Sequence, residues 1–166
     1  SLYGYLAVVM APVFFPGGDP VASLLAALAV FAGSYVIRPL GGIVFGHMGD
    51  RLGRKRTLLA VLVCMGLSST AMGLLPTPAQ AGLLSTVLLV AVRLVQGFSA
   101  GGEVGGSATF IAEAAPDHGK AFYGAFTPLG ATGGFALAAL VSAIVTSLTS
   151  DAQMTEWGWR VPFLLA

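Results

Sequence analysis

Charged residues are scarce in this sequence. Only 9% of its 166 residues are Asp, Glu, Lys or Arg, whereas soluble domains carry about 25%. Hydrophobic residues make up 56% of the chain and its mean hydropathy is +0.87, which is more than a soluble core of this size can hide. The composition therefore excludes a soluble globular domain and predicts an integral membrane protein in a lipid bilayer.

Other scarcities exclude further classes of function. The net charge is only +1, and no basic-aromatic patch or recognition helix occurs, so we expect no nucleic-acid partner. The single cysteine, Cys64, cannot form an internal disulfide. No His, Cys and Asp cluster has metal-site spacing, and no nucleophile is paired with a base. We therefore expect no metal, no organic cofactor and no enzymatic activity.

The two ends of the sequence also lack expected features. The chain opens on Ser1 without a basic segment before its first apolar run, so no cleavable signal peptide is predicted. It stops at Ala166 within another apolar run. We expect a fragment that is cut at both ends.

Apolar runs of the length that spans a bilayer, about 20 residues, are abundant. Polar turns or turns rich in Pro and Gly separate them, and the pattern predicts an all-α membrane protein. The predicted helices cover residues 2–15, 21–46, 57–75, 83–112, 121–148 and 159–166, of which the first and the last are partial. The second is interrupted by Arg38-Pro39.

The basic residues are unevenly distributed. Half of the eight Lys and Arg residues lie in one predicted loop, 47–56. The 113–120 loop falls on the same side of the membrane by helix count, and the opposite side carries mainly acidic residues. The positive-inside rule therefore places both loops in the cytoplasm. A simple topology anchor would explain this pattern without any further function.

The 47–56 loop is more regular than an anchor requires. From Gly46 it follows the pattern G-x-x-x-D-R-x-G-R-K-R. Glycines permit tight turns, and a carboxylate such as Asp50 pairs with arginine or caps a helix. The combination suits a latch between helices. The residues of this predicted cytoplasmic gating loop are Gly46, Asp50, Arg51, Gly53, Arg54 and Lys55.

Polar and charged side chains also lie within the predicted spans. Arg93 is about ten residues, or ~15 Å, into the fourth helix, and Gln96 shares its face. Glu103 is a further ~15 Å along, too far to pair with Arg93. Such residues usually mark a pathway or relay, although structural ion pairs stay an alternative. Arg38 is a weaker candidate because its side chain can snorkel to the interface.

Several motifs resemble the major facilitator superfamily. The pattern that starts at Gly46 is similar to the loop between helices 2 and 3 of that family. The segments LYGY, RPLGG, QGFSAGGE and WGWRVPFLLA resemble its metabolite:proton symporter group. The resemblance implies the N-terminal six-helix half of a proton-coupled importer in a bacterial inner membrane. A missing C-terminal half of the same chain would be its partner, and protons its coupling ion.

The resemblance also implies roles for particular residues. The predicted substrate and proton-coupling residues are Arg93, Gln96, Glu103, Arg38, Tyr3 and Tyr5. The two tyrosines serve equally well as aromatic anchors at the membrane interface. Glu113 and Lys120 form a predicted second cytoplasmic latch. Lys120 stands where the family pattern has arginine, which weakens that latch because lysine lacks the planar fork.

The sequence leaves the substrate open. Two intramembrane arginines favour a small organic acid. A zwitterionic osmolyte such as proline or betaine is the alternative, because its carboxylate would use the same arginine. A further alternative is a non-transporting membrane scaffold, held together by the glycine ladder of Gly97, Gly101 and Gly105, which repeat every four residues. The intramembrane charges argue against the scaffold, which has little need of them.

Overall fold

The structure is a computed structural model that describes residues 2–15 and 19–165, and the side chains of all of these except residues 2–5 and 117. Within these ranges the protein is all-α and contains no β-strand. Its α-helices are α1 (Leu2–Phe14), α2 (Pro20–Val36), α3 (Arg38–Leu52), α4 (Arg54–Gly73), α5 (Pro78–Ala81), α6 (Leu83–Ala114), α7 (Lys120–Gly124), α8 (Phe126–Leu148), α9 (Asp151–Gln153) and α10 (Arg160–Leu164). A 3-10 turn covers Asp117–Gly119, and a π-helical turn covers Met154–Gly158.

Four helical stretches of the described residues are long and apolar enough to cross a membrane: Pro20–Leu52, Arg54–Gly73, Leu83–Ala114 and Lys120–Leu148. The first combines α2 and α3, which are separated only at Ile37. Pro39 explains the interruption, because proline lacks an N–H group and its ring crowds the carbonyl four residues earlier.

The prediction of a loop at residues 47–56 is wrong, because the structure has helix on both sides of Gly53 there. The helix α3 continues to Leu52 and α4 begins at Arg54, so Gly53 alone connects them. Gly53 has φ 94, a conformation that L side chains rarely adopt, and its N–H donates to the carbonyl of Gly49 at 3.1 Å. The predicted bounds 21–46 and 57–75 are therefore too short. Polar residues here do not end the helix, because a helix keeps its internal hydrogen bonds when it leaves the membrane.

The buried hydrophobic core lies at the end of the bundle opposite Gly53. Its centre is Trp159, which is fully buried and meets the ring of Phe14 edge-on at 5.3 Å between centroids. Nearby, Nη2 of Arg160 donates to the carbonyl of Leu75 at 3.1 Å. This bond ties the start of α10 to the chain just after α4.

The central helix of the bundle is α6, which packs against α3 and α4. A Cβ atom added at Gly97 would overlap the carbonyl oxygen of Ser34, and one added at Gly101 would overlap that of Arg38. The backbones of α6 and of α2–α3 are therefore in direct contact, as small residues allow in membrane helix pairs. This contact fixes the height at which the polar residues of α6 face those of α2 and α3.

Candidate functional site

Arg93 is buried near the middle of the described bundle, with only 2% of its surface exposed. Its Nη1 donates to Oε1 of Gln96, one turn along α6. Nε2 of Gln96 donates in turn to Oγ of Ser69 in α4 at 3.0 Å. The guanidinium carbon of Arg93 lies 5.5 Å from the ring centroid of Phe31 in α2. Arg93 is thus linked to α2 through Phe31 and, by way of Gln96, to α4 through Ser69.

The bond that Ser69 accepts from Gln96 has a clear physical role. A buried charge is costly unless hydrogen bonds replace its water, and bonds to a charged donor are stronger than neutral ones. By holding the amide nitrogen of Gln96, Ser69 turns the amide oxygen towards Arg93. The sequence analysis missed Ser69. Its signal was a run of three hydroxyl residues, 68–70, within the apolar part of α4.

Arg38 lies beside a second aromatic ring of α2. Its guanidinium carbon is 3.8 Å from the ring centroid of Tyr35. The rings of Tyr35 and Phe31 meet edge-on at 5.0 Å between centroids. The two arginines expected from the sequence therefore flank one aromatic pair. Arg38 is half-buried, and its Nε is buried without a hydrogen-bond partner among the described groups.

The other site residues predicted within the membrane spans are Glu103, Tyr3 and Tyr5, and none is shown in contact with the two arginines. Glu103 is half-buried and makes no hydrogen bond or ion pair with any residue that the structure describes. It makes no contact with Arg93, and the sequence analysis expected this from the separation of the two residues along α6. Tyr3 and Tyr5 lie in α1, and their side chains fall outside the described part of the chain.

Arg54 joins the two predicted latches. As the first residue of α4, it places Nη2 at 2.7 Å from Oδ1 of Asp50 in α3. Its Nε donates to Oε1 of Glu113, near the end of α6, at 3.2 Å. Glu113 thus pairs with Arg54, and Lys120 begins α7 as an exposed residue. Three helix ends meet in one ion-pair network.

This network is weakly held. The two carboxylates are 62% and 57% exposed, and exposed ion pairs contribute about 0–1 kcal/mol each. Both carboxylates lie near the C-terminal ends of helices, and Arg54 lies at an N-terminal end. Each charge therefore opposes the dipole of its own helix. The ion pairs offset part of that cost, so the network is easy to open.

The remaining residues of the predicted gating loop serve the backbone or the surface. Gly46 borders a cavity of about 150 Å³ between α3, α4 and α6. Gly53 makes the turn. Arg51 and Lys55 are exposed and form no ion pair with a described residue. With Arg54, Arg56 and Lys120, they give that end five basic residues against three acidic ones, and so a net positive charge.

Comparison with known proteins places the chain in a family. The family model for a sugar (and other) transporter matches residues 4–166. The chain belongs to the major facilitator superfamily. This confirms the resemblance found in its motifs. With its four apolar spans, the chain is part of a multi-pass membrane protein of that superfamily.

Two curated relatives and one solved structure illustrate the similarity. The proline/betaine transporter of Salmonella typhimurium is 41% identical over 166 residues, which cover all of this chain and 33% of the relative. The shikimate transporter of Escherichia coli is 42% identical and is matched over 99% of this chain and 38% of the relative. The inward-open xylose transporter XylE from Escherichia coli shares the fold, with a TM-score of 0.77 at 20% identity, over 99% of this chain and 42% of that one.

This superfamily member spans only about a third of the length of those curated relatives, which are matched over 33% and 38% of their length. The fold similarity to XylE extends along nearly the whole chain. The fold and the family are thereby shown. Any activity concerns the whole protein and has to be argued from the site.

Proposed function

We propose that the protein containing this chain is a secondary active transporter that carries a small organic acid, together with protons, across the bacterial inner membrane. A zwitterionic osmolyte such as proline or betaine is the second candidate substrate. Relatives named for shikimate and for proline/betaine transport support both. The observation that carries the proposal is Arg93, a buried cation held by Gln96 within a membrane span.

A buried cation of this kind has two uses in transport. In a medium of low dielectric constant it attracts a carboxylate strongly. It also sits in a hydrogen-bonded chain that ends at Ser69, on another helix. A change in the charge beside Arg93 therefore alters the contact between α6 and α4. Transporters of this kind bind substrate near the midplane and rock around it, which makes such a link a proton-coupling centre.

The ion pairs of Arg54 fit the same mechanism. On the proposed topology, the turn at Gly53 and the 113–120 segment face the cytoplasm, and Arg54 closes that side with Asp50 and Glu113. A latch worth about 1 kcal/mol holds one access state without trapping the protein in it. Alternating access requires such a closure to break in every cycle.

Uptake into proteoliposomes tests this proposal. The full-length transporter is reconstituted, and uptake of radiolabelled shikimate, proline and betaine is measured with and without an imposed inward proton gradient. We expect gradient-driven accumulation of one class, lost in Arg93→Ala and reduced in Ser69→Ala. The matched control is Arg56→Ala, which removes a cation of α4 that is exposed. An uptake rate that is the same with and without the gradient, or unchanged in Arg93→Ala, would contradict the coupling mechanism.

A further inference from the structure

Arg93 offers a solute little surface to bind. It is 2% exposed, its Nη1 is committed to Gln96, and the ring of Phe31 lies on one side of it. A solute that reached this guanidinium would have to displace groups from two helices. The first contact with a carboxylate therefore has to come from another residue.

Arg38 has the opposite properties. It is half-buried, and no described carboxylate pairs with it. Its guanidinium lies on the ring of Tyr35, and 42% of the surface of Tyr35 is left uncovered by the described residues. Stacking occupies the face of a guanidinium and leaves its in-plane N–H groups free for a bidentate acceptor. An unpaired cation within a membrane span is costly and usually functional.

The backbone is irregular at this point. The helices α2 and α3 are separated only at Ile37, between Tyr35 and Arg38 in the sequence, and Ile37 keeps helical dihedral angles. Because Pro39 donates no N–H group, the carbonyl of Tyr35 lacks its usual helical donor. Arg38 is 18 residues from Pro20 and 8 from Gly46, after which α3 becomes polar, or ~27 Å and ~12 Å along the helices. It therefore lies within the apolar part of the combined span.

We propose that Arg38 and Tyr35 form the site that binds the carboxylate of the transported solute. The N–H groups of Arg38 grip the carboxylate, and the ring of Tyr35 holds the guanidinium flat. Arg93 then acts from its buried position, through Gln96, on the helices around the site. This reverses the order of the two arginines expected from the sequence. The inference rests on the proposed function, since its ligand is the transported solute.

Direct binding provides the test. The full-length transporter in nanodiscs is titrated with radiolabelled shikimate and proline, and Kd is measured for wild type, Arg38→Lys, Tyr35→Leu and Tyr35→Phe. Arg38→Lys keeps the charge but removes the fork, and we expect its Kd to rise about tenfold. Tyr35→Leu removes the stacked ring, with an expected rise of about fivefold. Tyr35→Phe keeps the ring, so its rise in Kd should be smaller than that of Tyr35→Leu. The control outside the site is Arg56→Lys, at an exposed arginine of α4, which should leave Kd unchanged.

The outcomes separate this inference from the proposed function. Wild-type Kd values in both Arg38→Lys and Tyr35→Leu would overturn it, even in an active transporter. An Arg38 effect that appears only as altered dependence on phosphatidylglycerol would also overturn it, because the ligand would then be a lipid phosphate. Arg38-dependent binding without gradient-driven uptake would support it and refute the coupled transport. A wild type that binds neither probe would overturn both.

Discussion

The contact between α6 and α3 makes a strong prediction about one glycine. A Cβ atom at Gly101 would overlap the carbonyl oxygen of Arg38 and lie 2.9 Å from the amide nitrogen of Gly42. Ordinary contacts begin at 3.4 Å. The nitrogen contact alone is 0.5 Å too short (3.4 minus 2.9 Å), and the carbonyl overlap demands more. Gly101→Ala must therefore push the two helices apart.

The energetic cost follows from that displacement. A gap of about 0.5–1 Å forfeits a quarter to a half of the dispersion energy of the atoms on either side. Overpacked sites typically lose about 1–3 kcal/mol. Alanine regains up to about 1 kcal/mol by its higher helix propensity. We expect a net destabilisation of about 1–2 kcal/mol.

The same helix supplies the control. Gly105 belongs to the same four-residue repeat as Gly101, but nothing lies within 4 Å of a Cβ atom added there. Gly105→Ala therefore gains helix propensity without a clash, and its stability should equal or exceed that of wild type.

Thermal unfolding of the full-length protein, with size-exclusion chromatography as the readout, measures both variants. We expect Gly101→Ala to lower the midpoint by several degrees and Gly105→Ala to leave it level or raise it. Equal midpoints for the two variants would refute the argument from close backbone approach.

Two further predictions concern the helix ends and the membrane face. Arg54→Gln removes both ion pairs and Glu113→Gln only one, so spin-label distances across the Gly53 end of the bundle should broaden more in the first variant. Identical distributions would show that these ion pairs do not hold that end closed. Cys64 is exposed and ten residues, or ~15 Å, from Arg54, near mid-membrane. In a full-length variant without other cysteines, lipid-soluble pyrene maleimide should label Cys64 and an impermeant maleimide should not. Labelling by the impermeant reagent would place this face of α4 in water.

The family and the membrane spans could be predicted because their signals are local in the sequence. Apolar runs mark the helices, and the motif from Gly46 to Arg56 marks the superfamily. The end of α3 at Leu52 could not be predicted in the same way. Polar residues and glycines at 47–52 have the composition of a turn, and only the backbone conformation of Gly53 shows where the helix ends.

The site was predictable only where its parts lie on one helix. The pairing of Arg93 with Gln96 follows from their spacing, whereas the bond to Ser69 depends on how α6 and α4 are rotated about their axes. That rotation is set by backbone contacts, such as that at Gly97, which leave no mark on the facing residues. The stack of Arg38 on Tyr35 could be predicted only in part. The sequence shows that the two residues are three apart, but the geometry depends on the interruption of the helix at Ile37 between them.

Gly53 also constrains how the chain enters the membrane during synthesis. Only one residue lies between α3 and α4. This connection is too short for α4 to cross the membrane separately, after α3 has already been inserted. On the proposed topology, the translocation machinery has to accept both as one hairpin, with the basic residues at its tip held back in the cytoplasm. The compact turn thus makes the biogenesis of α4 dependent on the segment synthesised just before it.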